Sequence, residues 1–251
     1  MRLGASRGLP RHVSVRRMSH PLLLLPGLLC DATLWEHQAR HLADTGPVTV
    51  ADLTQDDSIG AMAARALEAA PPEFDLAALS MGGYLAFEIM RRAPERVRRL
   101  CLLDTAAAAD TEEQTARRRG LIDLASRGQF KGVTPRLLPF FLHPDRLGEA
   151  ALTGAVMAMA ERVGAEAFLR QQRAIMGRAD SRRSLAAILA PTLVIVGRED
   201  ALTPLAAAQE IASGIPRARL AVIDECGHLA TMERPQAVTA LMRLWREGAF
   251  G

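Results

Sequence analysis

A chain of 251 residues, 49% of them hydrophobic and 24% charged, can bury one full core and is not a disordered polymer. Its net charge of +3 comes from the first 17 residues, which hold Arg2, Arg7, Arg11, Arg16 and Arg17 and no acid, so the remainder carries a net −2. That near-neutral body excludes a nucleic-acid surface as the meaning of the basic balance, and no apolar run reaches the roughly 20 residues of a membrane-spanning helix.

Residues 1–17 read as a disordered tail or an over-extended start, with Met18 as the alternative initiator. Arg16-Arg17 and the apolar Leu22–Leu25 resemble an export signal, but Leu29 before Cys30 is too large for a cleavage site, and processing there would delete a strand. Cys30, Cys101 and Cys226 are odd in number and far apart, which fits free thiols in a reducing compartment, so a cytoplasmic location is expected.

From Leu22 onward, apolar runs alternate with amphipathic stretches, the pattern of βαβ units around a mostly parallel sheet flanked by helices. Leu22–Leu25 is a buried strand ended by Pro26-Gly27. A helix over Thr33–Ala43, a strand over Val48–Leu53 and a helix over Ile59–Ala70 follow, and Pro71-Pro72 stops the last. Phe74–Leu79 is a strand, Met81–Arg92 a helix ended before Pro94, and Leu100–Leu103 a fourth strand.

The rhythm then breaks. Residues 110–185 contain no strand-like run and read as a helical cap inserted into an α/β core formed by residues 18–109 and 186–251. Gly120, Gly132, Pro135, Pro139 and Pro144 are its expected breaks. The α/β pattern resumes with a strand at Thr192–Val196, a helix near Leu205–Ser213, a strand at Leu220–Ile223 and a closing helix at Pro235–Trp245.

Chemistry concentrates at three strand ends. The strand over Phe74–Leu79 runs straight into a helix through Ser80-Met81-Gly82-Gly83. Such a turn forces its tip residue into a strained backbone and needs small neighbours two positions either side. Gly82 meets that need after Ser80, and Ala78 stands where the first glycine is expected. A serine N-cap would also explain Ser80 alone. Asp200 follows the strand of Val194-Ile195-Val196, and His228 follows the last strand in Cys226-Gly227-His228. A carboxylate can orient a histidine, and a histidine can take the proton of a serine nucleophile. The order Ser80, Asp200, His228, each at the carboxyl end of a strand, makes a serine-hydrolase triad the reading of the three together. Asp104, after the fourth strand, is the alternative acid. Asp224 and Glu225 read as the end of the last strand, and His12, His20, His37, His41 and His143 lack both strand-end context and metal-ligand spacing. Cys30 is either a thiol near the site or a small buried hydrophobe.

An oxyanion hole requires two N–H donors. Met81, after the nucleophile, supplies one, and Leu28, in the loop after the first strand, is chosen for the second. Leu29 and Tyr84 from the core, and Phe140, Phe141 and Leu142 from the cap, are the candidate substrate-binding residues. Leu137, Leu138, Met157, Met159, Phe168 and Met176 are further apolar cap residues available to an acyl pocket or to cap packing.

With these residues in place, the chain resembles single-domain bacterial α/β-hydrolases. The resemblance rests on Pro26-Gly27-Leu28-Leu29, Leu79-Ser80-Met81-Gly82-Gly83-Tyr84, Pro94-Glu95-Arg96-Val97, Gly197-Arg198-Glu199-Asp200 and Gly227-His228-Leu229, within residues 20–247. It is nearest to carboxylesterases of the pimeloyl-carrier methyl ester esterase kind and to 3-oxoadipate enol-lactonases, and weakest over residues 110–185. Pro26 replaces a usual His, and Ala78 a usual Gly. The resemblance implies ester hydrolysis through an acyl-enzyme on Ser80, without metal or organic cofactor. A lactonase, thioesterase or C–C hydrolase with the same triad is the alternative, and a non-catalytic binding protein the remote one. The expected substrate is a small ester or lactone, with no nucleic-acid or membrane partner. Cap arginines, Arg117, Arg118, Arg178 and Arg182 among them, leave open an acyl carrier protein, capture of a substrate carboxylate, or simple solvation.

Overall fold

The structure, a computed structural model, describes residues 20–250, so the reading of residues 1–17 lies outside the described residues. Strand β1 (Leu22–Leu25) is followed by a 3-10 turn over Ala32–Trp35 and by helix α1 (Glu36–His41). Then come β2 (Val48–Val50), α2 (Ile59–Ala69), β3 (Phe74–Leu79), α3 (Met81–Arg92) and β4 (Val97–Leu103). The intervening segment holds α4 (Glu112–Leu124) and α5 (Ala150–Met176). After it follow β5 (Thr192–Gly197), α6 (Leu205–Gly214), β6 (Ala218–Ile223), α7 (Ala230–Glu233) and α8 (Pro235–Arg246).

The six strands form one sheet in the order β2-β1-β3-β4-β5-β6, parallel at every pairing. Parallel strands covered on both faces should be apolar throughout, which explains the unbroken leucines of β1. The pleat divides them: Leu23 and Leu25 join the core under α2, α3 and α6, whereas Leu22 and Leu24 join the one containing Trp35, Met242 and Trp245. Chain order reverses between β1 and β3, a crevice where sheets of this kind place their sites.

Several boundaries differ from the sequence reading. The expected helix over Thr33–Ala43 is split, because Asp31 caps a short 3-10 turn by accepting from Thr33 N–H (2.8 Å) before α1 begins. The second strand ends at Val50 rather than Leu53; beyond it the Leu53 carbonyl accepts from the Gln171 side chain (3.0 Å). Gly120 does not break the chain but lies inside α4, where a side chain would meet nothing within 4 Å. The break in α5 falls instead at Gly164, whose φ of +78° suits glycine. Among the described residues, no helix is long and apolar enough to cross a membrane.

Candidate active site

Ser80 sits between β3 and α3 with φ +55° and ψ −116°, a conformation that non-glycine residues adopt only when the surroundings enforce it. Those surroundings are specific. Ser80 N–H donates to the Leu103 carbonyl (3.0 Å), and the Thr105 hydroxyl donates to the Ser80 carbonyl (2.8 Å). A Cβ on Gly82 would lie 2.4 Å from the Leu25 carbonyl oxygen, and one on Gly83 2.3 Å from Thr105 Oγ1. The helix can therefore approach the sheet only with glycine at both positions. Ala78 is fully buried in β3 opposite Leu25 and Leu102, and the sharp turn forms with its methyl in place.

His228 Nε2 lies 2.9 Å from Ser80 Oγ, and His228 Nδ1 lies 2.9 and 3.0 Å from the two oxygens of Asp200. The three side chains come together from the ends of β3, β5 and β6. Asp200 also accepts from Leu202 N–H (2.8 Å), Thr203 N–H (3.0 Å) and the Thr203 hydroxyl (2.6 Å). Burial alone would raise the Asp200 carboxyl; the facing His228 and the bonds from His228 and Thr203 outweigh it and hold it below the ordinary carboxylate range. An ionised Asp200 can thus stabilise an imidazolium on His228.

Asp104 is not the acid facing the histidine. It is buried with φ +44°, and its oxygens accept from Gly197 N–H (2.9 Å) and Ala230 N–H (3.3 Å). It ties together the loops that carry Asp200 and His228. Burial, and then the nearby Asp200 charge, push its carboxyl well above the ordinary value.

The loop after β1 closes on the nucleophile: a Cβ on Gly27 would lie 3.4 Å from the Cβ of Ser80. Leu29 adopts φ +58°, and its N–H donates to Gln171 Oε1 of α5 (3.0 Å). This leaves the N–H of Leu28 without an acceptor among the described residues. Met81 opens α3, where a first-turn N–H has no partner within the helix. Cys30 lines the cavity, but burial pushes its thiol up to about 12, so it behaves as a small hydrophobe.

A cavity of about 510 Å³ opens over Ser80 and His228. Of the candidate substrate-binding residues, Leu29, Tyr84, Phe140 and Phe141 line it, as does Leu28. Leu142 does not. It is 2% exposed and packs into the core with Cys226, Leu229 and Trp245, because its neighbours Phe141 and His143 are both bonded to the 227–233 segment. Met159 and Phe168 line the cavity, whereas Leu138, Met157 and Met176 do not. Thr203, Gln171 and Glu233 were not singled out from the sequence. A Thr three residues after Asp200 is the one with a local pattern; the other two act on segments far along the chain.

A family model described as the alpha/beta hydrolase family matches residues 22–241. A 2-hydroxymuconate semialdehyde hydrolase of Pseudomonas sp. (strain CF600) is 30% identical over 76% of this chain and 66% of its own length. A pimeloyl-[acyl-carrier protein] methyl ester esterase of Aromatoleum aromaticum is 30% identical over 65% of this chain and 70% of its own. Among solved structures, a thermophilic esterase from Thermogutta terrifontis with malate bound superposes with a TM-score of 0.84, at 28% identity over 92% of this chain and 91% of that one.

Proposed function

Because the chain belongs to the alpha/beta hydrolase family, whose members similar to it are hydrolytic enzymes, we propose that it is a serine hydrolase cleaving carboxylic esters through an acyl-enzyme on Ser80. One observation carries the reading: the continuous chain Ser80 Oγ, His228 Nε2, His228 Nδ1, Asp200, with each link near 2.9 Å, beneath a largely apolar cavity.

In this reading Ser80 Oγ attacks the ester carbonyl as its proton passes to His228 Nε2. Asp200 stabilises the resulting imidazolium and keeps the ring oriented. The carbonyl oxygen becomes an oxyanion between the N–H groups of Leu28 and Met81, where the start of α3 adds a favourable dipole. His228 returns the proton to the departing alkoxide, leaving Ser80 acylated. Water, deprotonated by His228, attacks the acyl carbon; as the second tetrahedral intermediate collapses, the bond from the acyl carbon to Ser80 Oγ breaks and His228 Nε2 returns the proton to that oxygen, releasing the acid. The steps use only this chain's groups and water.

A C–C hydrolase or lactonase with the same triad is the second reading, favoured by the similarity to the hydrolase of Pseudomonas. A fluorophosphonate probe and a panel of p-nitrophenyl esters and lactones test both. Labelling of Ser80 with turnover of esters above lactones is expected; no labelling of the folded protein would falsify the serine-hydrolase reading. The acyl carrier protein stands as a separate proposal, which equal kcat/KM for carrier-linked and free esters would remove.

A further inference from the structure

The cavity wall carries an unbalanced set of charges. Arg118 donates through Nε to Asp110 Oδ2 (2.7 Å) and through Nη1 to Gln172 Oε1 (2.9 Å). Arg178 donates through Nη1 to the other Asp110 oxygen (2.6 Å) and through Nε and Nη2 to the Ala108 carbonyl (3.2 and 3.0 Å). The Asp110 side chain is 3% exposed, Arg178 6% and Arg118 21%. One carboxylate thus faces two guanidiniums, and the triplet keeps a net positive charge. All three residues line the cavity that holds Ser80 and His228, and Asp110 is the one acid among its described lining residues. A charge taken out of water without a counter-charge is costly, so this wall is complementary to an anion.

The two arginines differ in what they can do. Arg178 is committed to its partners and lies over the Tyr84 ring, 4.2 Å from its centroid, so it supplies fixed charge. Arg118 has an Nη2 group that bonds to no described residue. A guanidinium offering free N–H groups is suited to a carboxylate. Tyr84, under Arg178, lies in the first turn of α3, which starts directly after Ser80. The charge therefore stands on the wall of the same cavity that Ser80 and His228 line.

We propose that Arg118, fixed by Asp110 and Gln172 and backed by Arg178, forms an anion subsite, and that the preferred substrates are half-esters of dicarboxylic acids. This rests on the ester-hydrolase reading and adds the substrate class. Arg117 and Lys131 line the same cavity and are exposed, an entrance of the same sign.

The test compares mono-p-nitrophenyl adipate and suberate with the same chains ending in a neutral carboxamide. The wild-type protein should prefer the carboxylate by about tenfold or more in kcat/KM, the scale of a charge-assisted hydrogen bond. The preference should shrink in 0.5 M salt. In Arg118→Gln the ratio should fall towards one, and Arg118→Lys should keep part of it. A wild-type ratio near one, or a ratio unchanged in Arg118→Gln, overturns the anion subsite while turnover of the carboxamide ester leaves the hydrolase reading standing. Absence of turnover of either ester together with unlabelled Ser80 overturns both.

Discussion

The backbone N–H of His228 donates to the carbonyl of Phe141 at 2.9 Å, so the segment between β4 and β5 holds the peptide of the candidate general base. Leu229 N–H shares that carbonyl at 3.2 Å. The buried Glu233 carboxylate then bridges His143 N–H (2.7 Å) and Leu229 N–H (3.2 Å). On the other side of the site, Gln171 of α5 holds the loop after β1. The helical segment therefore braces both the histidine loop and the proposed oxyanion loop, besides roofing the cavity.

Ser80→Ala and His228→Ala should each lower kcat/KM by about 10⁴-fold or more while leaving the cooperative melt in place, since neither side chain fills the core. Steady-state kinetics on a p-nitrophenyl ester, paired with thermal unfolding, checks both halves. Retained turnover in either variant would contradict the triad.

Asp200→Asn should cost about 10⁴-fold in kcat, because an amide no longer stabilises the imidazolium or fixes its tautomer. Asp104→Asn should cost far less, since Asp104 bonds to backbone N–H groups and not to His228. If the two losses came out in the reverse order, Asp104 would be the acid.

Asp104 also has a signature in pH. Its carboxyl is raised in the folded state by burial and by Asp200, so the fold binds that proton more tightly than the unfolded chain does. As pH rises above the ordinary carboxylate range near 4, the unfolded state ionises first, and stability is lost until the raised folded value is passed. Asp104→Asn removes this loss. The stability of the variant relative to wild type should therefore increase from pH 4 upward, as read by urea unfolding at a series of pH values.

Gln171→Leu should orphan the Leu29 N–H and the Leu53 carbonyl, at about 1–3 kcal/mol for each buried group. Because Leu29 is held at positive φ beside the proposed Leu28 donor, kcat should fall more than KM rises. Denaturant unfolding and the kcat-against-KM split test the two effects. A variant that loses stability with unaltered kcat would show that Gln171 merely packs the segment.

At the turn itself, Gly82→Ala should fold poorly or not at all, since its Cβ would meet the Leu25 carbonyl oxygen at 2.4 Å. Ala78→Gly, which installs the glycine usual at that position, should lose about 0.5–1 kcal/mol through backbone entropy in β3 and gain no activity. A faster Ala78→Gly enzyme would mean that the alanine methyl distorts the turn.

The strands and the turn were legible in the sequence because their causes are local. Apolar runs with proline and glycine stops mark β1, β3 and β5, and a serine followed by two glycines marks a strand entering a helix at close quarters. The order of Ser80, Asp200 and His228 after β3, β5 and β6 was equally readable, because a parallel sheet delivers every strand end to one edge. The folded chain decided the rest. Asp200 rather than Asp104 faces His228, although both end strands, since choosing between two carboxylates depends on side-chain directions across β4, β5 and β6. Leu142 turned into the core because its neighbours are tied to Phe141–His228 and His143–Glu233 bonds spanning some ninety residues. Gln171 reaches Leu29 across 142 positions, and Arg118 meets Gln172, as Asp110 meets Arg178, only once α4 and α5 are packed together. Periodicity and turn chemistry act over a few residues, so a sequence displays them; a polar bond between distant segments leaves no trace until the chain has brought its ends within 3 Å.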